Sequence, residues 1–255
     1  MHFKSDFLYW ESDFYVFCKK MQLFFHENIQ SKGEMLIIKE APEIIRQLRK
    51  VLRAAPGYVF CVQNREKRWE VELQNWTDKE ISARIVKQYE KPNPQSQSAM
   101  LIALPNKQDK LELIVQKLTE IWIQTLFLWA SERSVVKSFS PNKQERLHKI
   151  MQEALEQSRG WEMPKIEFVE DLKEITEQYQ IFVFDLKENQ QKWEKSVNKP
   201  LIWVIGPEWW LTEKDYAQFG NEWRGMHLGE QVLRMETAAI VWWWLIKQGK
   251  VNDSY

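Results

Sequence analysis

The residue types that most often carry out catalysis are scattered in this chain. His2, His26, His148 and His227 show no metal-pair spacing, and none stands beside a nucleophile motif. Each is therefore expected to be a surface or internally satisfied histidine. Cys18 and Cys61 likewise lack metal-ligand spacing, so no metal site is expected, and two thiols cannot build a disulfide framework. That cysteine usage fits a reducing, cytoplasmic setting. Neither GxGxxG nor a Walker A sequence occurs, which leaves hydrolase, kinase and ordinary Rossmann dehydrogenase chemistry without support. Four other segments stand out: SERS (Ser131–Ser134), EALEQS (Glu153–Ser158), VIGPEWWLTEKD (Val204–Asp215) and HLGEQVLRMETAA (His227–Ala239).

The elements that must position these segments fall into two groups. From Met21 to about Tyr89, short apolar runs (MQLFF, EMLII, GYVFCV, RWEVEL, EISARIV) alternate with polar turns, as in a small β-barrel or sandwich. A helical stretch from Pro42 to about Leu52 interrupts them, with Ile45, Leu48 and Leu52 on one face. Its other face carries Arg46, Arg49, Lys50 and Arg53. A solvated face is the usual meaning of such a cluster, and a phosphate-contacting surface has the same composition. The linker KPNPQSQS, Lys91–Ser98, carries two prolines and no apolar anchor. The expected domains are 21–94 and 95–255. Residues 1–20 are aromatic without a pattern and read as an extension outside the fold; an added surface strand or helix is the alternative.

Beyond the linker, strands and helices alternate. Met100–Leu104, Ile123–Trp129, Ile181–Asp185 and Leu201–Ile205 are apolar runs of the kind found in a parallel sheet covered on both faces. Asp109 is expected to cap a helix, Ser140–Pro141 to open a second, and Thr212 with Asp215 to form a capping box on a third. A last helix is expected from about Arg234 to Lys247. This alternation predicts a doubly covered α/β domain, whose ligands sit beyond the carboxyl ends of the strands. Hydrophobic residues make up 44% and charged residues 28%, with 36 of each sign, so the overall charge gives no indication of nucleic acid. No apolar run is long enough to cross a bilayer.

The four segments, in this order, resemble the 16S ribosomal RNA uracil-N3 methyltransferase family of the SPOUT superfamily. The family's IGPEGG loop corresponds to Ile205–Trp210, its LGxxILRxETA segment to Leu228–Ala238 and its TELG turn to Thr119–Trp122. QLRKVLRAAPGYVF, Gln47–Phe60, resembles its first-domain element, so the likeness runs from Met21 onward. The resemblance implies a PUA-like barrel that helps to hold RNA, followed by a SPOUT α/β domain with a deep trefoil knot at its C-terminal end. It implies S-adenosylmethionine as cofactor, held mainly by main-chain groups of Phe184, Ile205, Gly206, Pro207, Glu208, Trp209, Leu228, Gly229, Val232 and Leu233. It further implies a homodimer acting on 16S ribosomal RNA at the small subunit, without metal or membrane. Arg234 would stabilise a developing uracil anion, with Glu236 and Glu208 as proton acceptors or organisers. Arg133 and Arg159 would contact RNA, beside the basic helix face. For Glu236, a carboxylate placed at a helix N-terminus for the dipole is an equal reading. The rival functions are another SPOUT methyltransferase acting on transfer RNA or a ribose hydroxyl, and an RNA-binding or assembly factor without catalysis.

Two departures from the family follow. Arg159 comes directly after Ser158, with Gly160 where the family's arginine stands. Trp122, Trp209 and Trp210 all stand where the family has glycine, and the chain has 14 Trp and only 8 Gly. Average usage would give roughly 18 Gly. Two indoles in the loop are expected to occupy cofactor space, and a tryptophan closing the helix near Ile121 is expected to carry the left-handed penalty. A source that reads UGA as glycine would explain both imbalances, since UGA differs by one base from the tryptophan codon UGG. One or more of Trp242–Trp244 could share that origin. A genuine Trp-bearing homologue whose indoles stack on bases is the competing explanation.

Overall fold

The structure is a computed structural model; it describes residues 21–91, 99–137, 140–184, 199–220, 222–226, 229 and 231–247. The expected N-terminal extension therefore lies outside the described residues. The chain divides into two compact units, 1–93 and 94–255.

The first unit holds six strands, β1 (Leu23–Phe25), β2 (Ile29–Lys32), β3 (Met35–Lys39), β4 (Val59–Gln63), β5 (Lys67–Trp76) and β6 (Glu80–Glu90). They form one sheet in the order β1-β4-β5-β6-β3-β2, antiparallel except for β1 beside β4. β2 had no signature in the sequence: its IQSK segment is mostly exposed and has no apolar alternation. Helix α1 (Pro42–Arg46), with Pro at its first turn, continues into a π-helical turn, Gln47–Val51. It presses Ile44, Ile45 and Leu48 into a core with Phe24, Ile38, Phe60, Val71 and Ile81. Arg46, Arg49, Lys50 and Arg53 are left exposed.

In the second unit the strands are β7 (Ala99–Ala103), β8 (Thr125–Trp129), β9 (Lys165–Val169), β10 (Gln180–Phe184), β11 (Leu201–Ile205) and β12 (Arg224–Met226). All pairings are parallel, in the order β12-β10-β11-β7-β8-β9. β7 is buried at every position, which a strand covered on both faces requires. Between the strands lie α2 (Gln108–Glu120), α3 (Pro141–Ser158), α4 (Lys173–Gln178), α5 (Glu213–Gln218) and α6 (Met235–Lys247). α2 packs against both α3 and α6. β9, α4 and β12 escaped the sequence reading because they are short and half-exposed, with no continuous apolar run.

Two helix starts differ from expectation. α2 has Lys107 at its N-cap with no side-chain cap, and Asp109 sits inside the first turn, where its charge still faces the positive end of the helix. Ser140 precedes Pro141 as expected but makes no side-chain cap hydrogen bond. The capping box of α5 is present in full. Asp215, 0% exposed, accepts from Thr212 N at 2.9 Å and Thr212 Oγ1 at 3.1 Å. Its other oxygen accepts from Glu132 N at 2.8 Å, so one carboxylate ties the SERS segment to the stretch after β11. Replacing it removes three hydrogen bonds and leaves part-buried donors unmet. Asp215→Ala is expected to lower stability by about 1–2 kcal/mol or more in urea unfolding. An unchanged midpoint would show that the brace carries no stability.

Candidate functional site

Parallel register delivers the carboxyl ends of neighbouring strands to one edge. Phe184, the last residue of β10, lies level with Ile205 of β11 and Met226 of β12. Around those ends is a cavity of about 330 Å³, within the range of small-ligand pockets. It is lined by Phe184, by Ile205–Glu208, Trp210 and Leu211, by Met226, and by Gly229, Gln231–Met235 and Ala238. It lies beside the β11–β7 junction, where the strand order reverses and α/β sheets open a crevice. Behind the lining residue Phe184 lies an aromatic cluster: Phe184 meets Trp242 edge-on at 4.7 Å between centroids, and Trp242 meets Trp203 at 4.9 Å.

Most of the residues expected to hold a cofactor meet here. Phe184, Ile205, Gly206, Pro207, Glu208, Gly229, Val232 and Leu233 all line the cavity, as does Arg234. Leu228 lies outside the described residues. Trp209 is not in the lining: its indole turns outward and is 62% exposed. Trp210 takes a place on the rim, 46% exposed. Of the two indoles expected in the ligand space, Trp209 lies outside it and Trp210 contributes to its wall. At Gly206 an added Cβ would meet Leu211 Cγ at 3.2 Å, so any side chain there displaces the wall. Glu236 lies in the first turn of α6, outside the lining, and its Oε2 is buried without a hydrogen-bond partner.

Lys110, which the sequence reading missed, also lines the cavity. Its Nζ lies 2.9 Å from Glu208 Oε1, with both side chains largely covered. The hydrogen bond with Glu208 holds the Lys110 ammonium above its ordinary value, and Glu236 adds to this while Arg234 opposes it. For Glu208, burial pushes the carboxyl up. The Lys110 hydrogen bond and the main-chain N–H groups of Glu208 and Asn106 outweigh this, leaving it below the usual carboxylate range. Glu208 is therefore a fixed anion, suited to organising its loop and poorly suited to taking a proton. A signal for Lys110 existed, because a helix that follows a parallel strand begins at the carboxyl edge of the sheet. What the sequence did not show was the 98-residue separation closing at one point.

The remaining expected contacts are dispersed. Arg133 Nη1 donates to the main-chain oxygen of Trp209 at 2.6 Å, fastening SERS to the cavity loop from the outside. Arg159 closes α3 in the left-handed conformation, φ 57°. In the first unit Arg49 pairs with Asp78 at 2.6 Å and lies over the Trp76 ring, so part of the basic face is engaged within that unit. Among the described residues no group of His, Cys, Asp and Glu has the arrangement of a metal site.

Residues 91–247 match the family described as "RNA methyltransferase domain". The chain is 30% identical over 230 residues to Ribosomal RNA small subunit methyltransferase E of Bacillus subtilis (strain 168), covering 80% of this chain and 89% of that protein. It is similar in structure to a Ribosomal RNA small subunit methyltransferase E of Neisseria gonorrhoeae bound to S-adenosyl methionine. There the TM-score is 0.74 at 18% identity, over 89% of this chain and 97% of the other. A methyltransferase of Legionella pneumophila in complex with SAM gives TM-score 0.75 at 19% identity, over 91% and 98%. These two structural likenesses are likenesses of fold.

The Glu208 shift gives a pH dependence. A carboxyl whose folded value is lowered contributes stability above the ordinary carboxylate range, and that stability is lost as pH falls through the folded value. In urea unfolding, Glu208→Gln is expected to be less stable than the parent at neutral pH, with the difference shrinking as the pH falls into the acid range. A difference that stays constant with pH would show that the Glu208 charge does not support the loop.

Proposed function

This chain belongs to the RNA methyltransferase family, and we propose that it transfers a methyl group from S-adenosylmethionine to N3 of a uridine in 16S ribosomal RNA of the small subunit. The observation that carries the reading is the cavity at the carboxyl ends of β10, β11 and β12, lined by both segments that resemble the uracil-N3 family. Its residues fit the cofactor. Gly206 leaves room where a Cβ would push on Leu211, Gly229 adopts φ 81°, and the apolar lining of Phe184, Ile205, Leu211, Met226 and Leu233 suits an adenine ring. The relative in Bacillus subtilis and the cofactor-bound structures with the same fold support the substrate and the donor.

The bound cofactor would supply a methyl group on a sulfonium, a good leaving group. The protein's tasks are alignment and charge stabilisation. Main-chain groups of Ile205–Glu208, Gly229 and Gln231–Leu233 would hold the donor. Arg234, in the lining, faces the negative charge that grows on the uracil ring as N3 gives up its proton. Glu236, two residues further on and behind the lining, would organise Arg234 and the site's charge, while Glu208, ion-paired with Lys110, organises the loop. Arg133 and Arg159, with the exposed Arg46, Arg49, Lys50 and Arg53 of the first unit, would hold the RNA backbone. We further read the first unit as a PUA-like barrel, the C-terminal stretch around β12 and α6 as a trefoil knot, and the working form as a cytoplasmic homodimer.

The test is mass mapping of 16S ribosomal RNA from cells lacking the gene. One N3-methyluridine is expected to disappear and to return with the intact gene, and an unaltered set would overturn the substrate assignment. Arg234→Ala is expected to lower methyl transfer to small subunits by about 10²-fold or more at saturating cofactor.

A further inference from the structure

Lys110 has no part in the reading above, yet it joins two cavity walls. It projects from the first turn of α2 and meets Glu208 in the loop after β11 at 2.9 Å. That loop is otherwise held on its outer side, by Arg133 on the main-chain oxygen of Trp209. Glu208 Oε1 is taken by Lys110 and Oε2 is buried without a hydrogen-bond partner, so the held carboxylate bears on the cavity through its loop. We propose that Lys110 is a positioning residue for cofactor binding: by clamping Glu208 Oε1 it fixes the main-chain groups of Gly206–Glu208 at the cavity wall. This rests on the cavity being the S-adenosylmethionine site. A clamp of this kind lowers the ordering that binding requires, so its loss is expected in affinity. A lysine that served only to fasten the fold would affect stability and leave affinity intact once the protein is folded.

Calorimetry of S-adenosylmethionine with the full chain separates these, with urea unfolding of the same samples as a control for folding. Lys110→Met and Glu208→Gln are each expected to weaken binding about tenfold, the double variant to be no worse than either alone, and Lys110→Arg to recover most of the affinity. Unchanged affinity in folded Lys110→Met or Glu208→Gln overturns the proposal, as does additive loss in the double variant. No binding by the parent chain overturns the cofactor reading itself, and this inference with it.

A second observation is independent of the cavity's occupant. Trp122 has φ 64° and Trp210 φ 65°, in the left-handed region where a bulky side chain is an outlier. At Trp122 the surroundings form a complete helix stop: Trp122 N donates to Thr119 O at 3.0 Å and Ile123 N to Leu118 O at 2.9 Å. This is the Schellman arrangement, and the residue in Trp122's place is usually glycine. Trp210 closes the turn begun by Pro207, its N donating to Pro207 O at 3.2 Å, another place where glycine is favoured. Glu40, Arg53 and Arg159 also have positive φ, so the conformation alone does not demand glycine. What singles out these two is the largest side chain at two glycine-type turns in a chain with 14 Trp and 8 Gly. We infer that the protein as its source makes it carries glycine at 122 and 210, through UGA codons translated as glycine. Trp209, without positive φ, and Trp242 and Trp243, buried in helix α6, have no backbone reason to be glycine. Peptide mass mapping of the protein purified from its source decides the point. Glycine is expected at 122 and 210 with tryptophan at 242 and 243; tryptophan at either 122 or 210 overturns the inference.

Discussion

The loop that leaves β11 is the constraint on which the rest of the site depends. A strand that ends at the carboxyl edge of a parallel sheet leaves its next main-chain groups without ladder partners, and those groups must be fixed if they are to grip a ligand. Here side chains from three distant places fix them. Lys110 of α2 holds Glu208, Arg133 holds the main-chain oxygen of Trp209, and Asp215 locks the start of α5 while also accepting from Glu132 N. The cavity owes its shape to this bracing as well as to the sheet. Gly206 at the root of the loop is the point where bulk is least tolerated.

How much of this the sequence disclosed depended on sequence distance. Thr212 and Asp215 are three residues apart, and their capping box was readable because its physics is local. β7, β8, β10 and β11 were readable because a strand buried on both faces must be apolar throughout. β2, β9 and β12 had no such run, since their half-exposed residues follow no period. Asp109 misled because an acidic residue near a helix start can serve the dipole from inside the first turn as well as cap from outside. The site followed the same rule. The loop and the Gly229–Arg234 segment were found from contiguous residues, while Lys110 needed a contact across 98 positions that no local pattern encodes.

Tryptophan has two distinct roles here. Trp203, Trp242 and Trp243 are buried, in strand β11 and helix α6, and Trp242 packs behind the cavity residue Phe184. Glycine in that helix would cost stability in proportion to both lost packing and backbone entropy. Trp122 and Trp210 occupy turns whose backbone suits a residue without a Cβ. The indole at 209 lies outside the cavity lining, whereas Trp210 is part of it, so glycine at 210 would widen the cavity on that side.

In the proposed reading, a small cofactor is held by main-chain groups at the ends of β10, β11 and β12. The most direct test is ultraviolet cross-linking of methyl-labelled S-adenosylmethionine to the full chain, followed by peptide mapping. Label is expected on peptides spanning Ile205–Leu211 and Gln231–Met235, competed away by unlabelled cofactor. Label confined to residues 21–91, or none that competes, would contradict it.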